Sequence, residues 1–173
     1  MDTPDDPLCV RCAKHQKTCC QTRAIYVTPG DRRRIGAVVG HDNFVTFEVA
    51  SAEHLDQSDD PTWGELVFRP DGSRRVLRRK ENGDCLFLGA AGCTLHVETR
   101  PLVCRMYPFE YTERGIESEL SDGCPTHLMR PHETLLKVLD MRHEDGERWR
   151  KQLYQELHEE KLDADRPDLR PQE

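Results

Sequence analysis

Aromatic side chains are scarce in this chain: five Phe, two Trp and four Tyr in 173 residues, or 6 %. Hydrophobic residues make up 36 % and charged residues 33 %. A large apolar core is therefore excluded, and something besides burial must help to stabilise one domain of this length. No stretch approaches the roughly 18 consecutive apolar residues needed to span a bilayer. The N-terminal MDTPDDPLCV is acidic and lacks the apolar segment of a secretory signal, which leads us to expect a cytoplasmic protein. Internal repeats and low-complexity tracts are missing. So is a G-x-G loop between strand and helix of the kind that cradles a nucleotide or S-adenosylmethionine.

Cysteine is what the chain has in excess. Cys9, Cys12, Cys19 and Cys20 form a C-x2-C-x6-C-C run, and Cys85, Cys93, Cys104 and Cys124 follow after a long gap. In a reducing compartment structural disulfides are rare, so clustered cysteines point to metal, with four disulfides the less favoured alternative. The net charge of −7 argues against a general nucleic-acid coat. One basic stretch, RPDGSRRVLRRK at 69–80, carries six cations against Asp71. It is a weak hint of an RNA, DNA or acidic protein partner, and a solvated face is the preferred reading.

The expected fold class is α+β: a small, loop-rich cysteine-cluster domain with short β-hairpins and a C-terminal helical extension. Thr28 as N-cap, Pro29 at the first helical position and Asp31 in the first turn predict a helix over 29–39 ended by Gly40. A second short helix is a weaker expectation at 42–47. GELVFRPDGSRRVLRRKENGDC reads as a hairpin turning at Asp71–Gly72, with Val67 and Phe68 facing Val76 and Leu77. PFEYTERGIESEL reads as another, turning near Arg114–Gly115. Between them a helical turn or two lies between Pro101 and Pro108. Residues 131–162 have a helical pattern broken around Asp145–Gly146, with Trp149, Leu153 and Leu157 in one apolar stripe. The division is then 1–130 for the cluster domain, 131–162 for the helical extension and 163–173 for a disordered tail.

A C-x2-C pair lets two thiolates grip one metal from a turn, as in zinc knuckles and iron–sulfur sites. One pair is a weak signal; a pair followed by a tandem Cys-Cys and four more cysteines beside turn residues is strong. Gly83-Asp84 precedes Cys85 and Gly92 precedes Cys93, so the backbone can bend toward a ligand there. Gly89 and Gly92 leave N–H groups free to bond to sulfur. Cys124 is followed by Pro125, as in the C-P that ends ferredoxin cluster runs, which tilts the reading slightly toward an iron–sulfur cluster, 4Fe-4S included, over Zn2+. In an extended segment Cys19 and Cys20 would face opposite sides and could serve different metals. Eight thiolates at four per site permit two sites without requiring them. His15, His96 and His127 lie near cysteines, but histidine ligands are not needed. Arg100 and Arg105 flank Cys104 and could offset thiolate charge, while Tyr107 and Phe109 could pack over the site.

The strings CVRCAKHQKTCC, TPGD, GDCLFLGAAGC, RPLVCRMYPFE and the final CP resemble the YkgJ-like cysteine-cluster family, also described as a CxxCxxxxCC zinc- or iron-chelating domain. The resemblance runs from Cys9 to about Cys124 and is most specific at residues 100–109. It implies a small cysteine-rich domain holding zinc or an iron–sulfur cluster through the eight cysteines, without an assigned physiological role. The spacing departs from the pattern by placing six residues between Cys12 and Cys19. Flagellin lysine N-methylases are similar in the same cysteines, which makes a cluster-containing methyltransferase or redox enzyme the alternative function. An interaction module with a purely structural metal is a third reading. A catalytic Cys–His pair ranks low, since no thiol is singled out as nucleophile.

Overall fold

The computed structural model describes residues 6–51 and 59–165. The chain opens with two helical pieces that carry the first four cysteines, α1 (Leu8–His15) and α2 (Cys19–Thr22). Next comes α3 (Pro29–Val39), built as its sequence dictates. The Thr28 hydroxyl accepts from the Asp31 N–H at 2.9 Å, the Asp31 carboxylate accepts from the Thr28 N–H at 3.1 Å, and Gly40 ends the helix at φ 80°. This reciprocal cap satisfies two N–H groups that a helix start otherwise leaves unpaired.

Strand β1 (Val45–Val49) occupies the place where a short helix over 42–47 was expected. Its β-branched and aromatic residues pair antiparallel with β2 (Ser73–Leu77), Val45 opposite Leu77 and Val49 opposite Ser73. On the other side of β2, Val27 N–H bonds Arg75 O at 3.1 Å and Leu77 N–H bonds Ile25 O at 2.9 Å, so β2 is central. The expected hairpin over 64–85 is thus half right. Asp71–Gly72 is a turn, with Gly72 at φ 78°, but Val67 ends helix α4 (Pro61–Val67) rather than facing Val76. Asp60 caps that helix through the Trp63 N–H and Pro61 takes its first position.

Strands β3 (Leu88–Gly89) and β4 (Gly92–Cys93) form a minimal hairpin, followed by α5 (Leu102–Met106) between the two prolines as expected. β5 (Phe109–Thr112) and β6 (Gly115–Leu120) form the hairpin read from the sequence. After a 3-10 turn (Thr126–Leu128) and α6 (Leu135–Val138), the long α7 (His143–Ala164) completes the described fold. The fold is a small α+β domain of three two-stranded antiparallel sheets and short helices, with a long C-terminal helix.

The helical break falls before α7, where Asp140 has φ 53°, and not at Asp145–Gly146. Gly146 is inside α7 for a packing reason: a Cβ there would lie 2.7 Å from the Phe109 ring and 2.8 Å from Ile116. The α7 stripe of Trp149, Leu153, Tyr154 and Leu157 is buried with Tyr26, Val67, Leu102 and Met106. A second cluster gathers Val27, Ile35, Phe44, Leu77, Cys85, Phe87 and Leu95. Of the tail expected over 163–173, residues 166–173 lie outside the described residues.

The basic stretch runs from the Asp71–Gly72 turn into β2, and its cations are divided: Arg69, Arg78 and Lys80 are exposed, as expected of a solvated face, while Arg74 is buried. Arg69 stacks 3.5 Å from the centre of the Phe47 ring, and Arg74 is buried beside Phe68. Arg75 bonds Val27 O at 3.1 Å and pairs with Glu160; Arg78 bonds Val45 O at 3.0 Å; Lys80 bonds Leu88 O at 2.5 Å. These cations hold the chain's own carbonyls and rings.

Alanine ordinarily replaces a helical glycine with a gain of up to about 1 kcal/mol. Gly146→Ala is expected to reverse that sign and destabilise by about 1–3 kcal/mol through overpacking on Phe109. Gly64→Ala in α4, where a Cβ meets nothing within 4 Å, should be neutral or stabilising. Denaturant midpoints of the two variants check the contrast.

Candidate metal centre

The eight cysteines are free thiols, spread over six pieces of backbone. Cys9 and Cys12 lie on successive turns of α1. Cys19 and Cys20 open α2, a helical turn and not the extended segment in which they would alternate sides. Cys85 follows β2, Cys93 ends β4, Cys104 is the middle residue of α5, and Cys124 lies between β6 and the 3-10 turn.

Three constraints draw these pieces together. The Cys85 N–H donates to Cys20 O at 2.8 Å, and Leu88 N–H donates to Cys85 O at 3.0 Å while Leu88 stands opposite Cys93. Cys20, Cys85 and Cys93 share the second hydrophobic cluster as a result. Buried Arg11 of α1 donates to Leu128 O at 2.6 Å and grips Glu133 through both carboxylate oxygens, which seats Cys9 and Cys12 beside the turn after Cys124. Asp31, fully buried, accepts from the Leu102 N–H at 3.1 Å and from Arg34 at 2.7 Å. One carboxylate therefore joins the start of α3 to the start of α5, the helix that carries Cys104.

Glu156 of α7 reinforces that junction. Its carboxylate accepts from Arg34 at 2.6 Å, from Gln152 at 3.0 Å and from the Thr28 hydroxyl. It fills the space that a side chain at Gly30 would need, which gives the glycine of TPGD its reason. Burial works against ionised Glu156, but its hydrogen bonds with Arg34, Thr28 and Gln152 outweigh that and hold it below the usual carboxylate range.

The thiols perturb one another. Burial, then Cys19, Cys9 and Cys12, push Cys124 up to about 11. Burial raises Cys9, although the residue is exposed, and Cys12, with Cys19 adding to both. Burial likewise raises Cys104, aided by Cys85, Cys19 and Cys93. Cys85 is raised by burial, while N–H groups of Phe87 and Leu88 and the Arg79 guanidinium work the other way. Cys19 alone among these is lowered, first by the hydrogen bond with the Cys20 thiol and also by backbone N–H groups and Arg23; Cys20 is raised by the same bond. Crowded thiols resist joint ionisation, and a bound cation removes that resistance.

Of the two arginines expected to offset thiolate charge, Arg100 acts on a thiol, though on Cys9 rather than Cys104, and Arg105 is engaged elsewhere. Arg105 is buried and donates to Arg100 O at 2.8 Å, Glu98 O at 2.5 Å and the Glu98 carboxylate at 3.2 Å, an internal brace. Arg100 acts on Cys9, Arg79 on Cys85, and Arg23 on Cys19. Arg79 also bonds the carbonyls of Gln21, Gly83 and Arg23, tying α2 to the Cys85 loop. The N–H groups that favour the Cys85 thiolate come from Phe87 and Leu88, whereas Gly89 and Gly92 pair with each other. Tyr107 lies at Cys124, where its hydroxyl favours the thiolate, and Arg23 is stacked 4.9 Å from its ring centre. Gly123 is required there, since a Cβ would collide with that hydroxyl. Phe109 packs on Gly146 and His143. His96 accepts from the Glu98 N–H at 3.3 Å through Nδ1.

Among the described residues, no three Cys, His, Asp or Glu side chains are already grouped closely enough to hold one metal ion. The donors nonetheless fit a soft metal in kind: thiols gathered from distant segments, N–H groups and guanidinium groups beside them, and the Tyr107 hydroxyl at Cys124. Coordination would deprotonate the thiols and draw them inward.

A family model covers residues 8–125 and is described as "CxxCxxCC: Putative zinc- or iron-chelating domain". The match takes in well over half of the chain, and the protein belongs to this cysteine-cluster family. No curated protein and no solved structure matches it. Within the described residues no helix is long and apolar enough to cross a membrane.

Two outcomes follow from this geometry. Asp31→Ala leaves Arg34 and the Leu102 N–H without their buried acceptor, and is expected to cost about 3 kcal/mol; equilibrium unfolding of the metal-free chain measures it. In that same metal-free chain, raising the pH should expose thiolates in order, Cys19 first and Cys124 only as pH approaches 11. Mass-spectrometric mapping of alkylation against pH reads that order.

Proposed function

We propose that this protein binds zinc or an iron–sulfur cluster through thiolates drawn from Cys9, Cys12, Cys19, Cys20, Cys85, Cys93, Cys104 and Cys124. The observation that carries the reading is the backbone bond between Cys85 and Cys20. It brings segments 65 positions apart into register beside Cys93 and Cys104, in a chain of a zinc- or iron-chelating family. A sparse apolar core has little reason to gather so many thiols from distant segments unless they also cross-link the fold. Metal supplies that cross-link, and its binding energy becomes folding energy.

Zn2+ and a four-iron cluster make the same demand of the protein. Each takes four thiolates, and each leaves residual negative charge for Arg23, Arg79 and Arg100 to offset. Cys85, with its two N–H donors, and Cys124, followed by Pro125, suit an iron–sulfur cluster as well as zinc.

Anaerobic purification with elemental analysis and a visible spectrum is the test. A colourless protein with stoichiometric zinc, or a brown protein with iron and sulfide, is expected, its thiols protected from alkylation until acid or chelator is added. Metal-free protein with all eight thiols reactive would overturn the reading. Cys104→Ala should reduce bound metal and lower the melting temperature together, since Cys104 lies between Leu102 and Met106, both in the core beneath α7.

A further inference from the structure

The cysteines fall into two sets, and we propose that each set is a separate four-thiolate site, one formed by Cys9, Cys12, Cys19 and Cys124 and the other by Cys20, Cys85, Cys93 and Cys104. The inference rests on the metal-binding reading above and adds how many centres there are and which residues share each.

The geometry divides the thiols along the chain's own anchors. Arg11 fastens α1 to Leu128 O and Glu133, so Cys9 and Cys12 meet the segment that follows Cys124. The Cys85–Cys20 backbone bond and the β3–β4 hairpin place Cys20, Cys85 and Cys93 in one apolar cluster. Cys104 comes to that cluster on α5, whose first N–H is fixed by Asp31. Arg23, the residue after α2, lies over the Tyr107 ring and beside Gly123, which brings the α2 end of the chain to Cys124.

The tandem cysteines are the dividing wall. At the start of a helical turn, successive side chains diverge by about 100° around the axis, because 3.6 residues complete a turn. One thiol of the pair can therefore serve the α1 side and the other the Cys85 side, while the two remain neighbours. Thiolates bridge metals when there are too few to give each ion its own four. Here eight thiolates supply two tetrahedral centres without sharing. The two environments also differ: Arg23, Arg100 and the Tyr107 hydroxyl attend the first set, whereas Arg79 and the N–H groups of Phe87 and Leu88 attend the second.

Full-length, reduced protein titrated with zinc and with cadmium-113 tests the division without needing any variant to fold. Native mass spectrometry should saturate at two metal ions per chain. The cadmium NMR spectrum should show two resonances in the four-thiolate range with no metal–metal coupling, since no sulfur is shared. Alkylation at one equivalent should protect one set of four cysteines as a block. Cys124→Ser and Cys85→Ser should each retain one equivalent, held by the opposite set. Saturation at one metal, coupled cadmium resonances, or a protected block that mixes the two sets would overturn this inference while leaving metal binding intact. No bound metal at all would overturn both.

Discussion

A single buried carboxylate organises this molecule. Asp31 accepts from the N-cap of its own helix, from Arg34 and from the first N–H of α5, and it is fully shielded from water. A charge so placed is tolerated only because every oxygen is occupied and a guanidinium stands beside it. Burial raises its pKa even so, with Arg34 and Thr28 opposing the rise. The arrangement gains orientation. Cys104 can approach Cys85 and Cys93 only if α5 starts where Asp31 holds it. Glu156 then locks α7 onto the same junction through Arg34 and Thr28, in the space Gly30 leaves open. The TPGD and RPLVC strings, far apart in sequence, are thus two sides of one joint.

The thiols impose the opposite condition. Every anchor that brings them together makes them harder to ionise, as the raised pKa values of Cys9, Cys12, Cys85, Cys104 and Cys124 record. Arg23, Arg79 and Arg100 offset part of that cost. Gathering groups that resist joint ionisation, as Arg11, Arg79 and Asp31 do here, favours a cation among them, in keeping with the zinc- or iron-chelating description of the family.

What the sequence made legible was local. The cap at Thr28, the helix between Pro101 and Pro108 and the turn near Gly115 each rest on residues a few positions apart, and each is present. What it hid was long-range pairing. Val67 and Phe68 looked like the strand opposite Val76 because Asp71–Gly72 turns the chain there, yet β2 takes its partner from residues 45–49. A signal for α4 was available in Asp60-Pro61, an N-cap followed by proline at the first helical position, but it lay inside a turn-rich run. Among the site residues, the cysteines announced themselves. Arg11, Arg23, Asp31 and Arg79 did not, since an arginine that holds a carbonyl reads like any other surface charge.

The long C-terminal helix shows why the core and the thiols are not independent. Its stripe of Trp149, Leu153 and Leu157 has the periodicity of a self-sufficient amphipathic face, and from that pattern alone it owes nothing to cysteine. In the fold that face rests on Leu102 and Met106, the residues two positions either side of Cys104, while Gly146 admits Phe109 from the hairpin that follows. A five-residue helix has no stability of its own. α5 persists because Asp31 fixes its start and α7 covers one face, and from it Cys104 approaches Cys85 and Cys93. Pull the thiol side away and α7 loses the platform beneath it; pull α7 away and Glu156 no longer braces the joint that aims Cys104. The apolar core and the thiols gathered around Cys104 therefore meet in the same short helix.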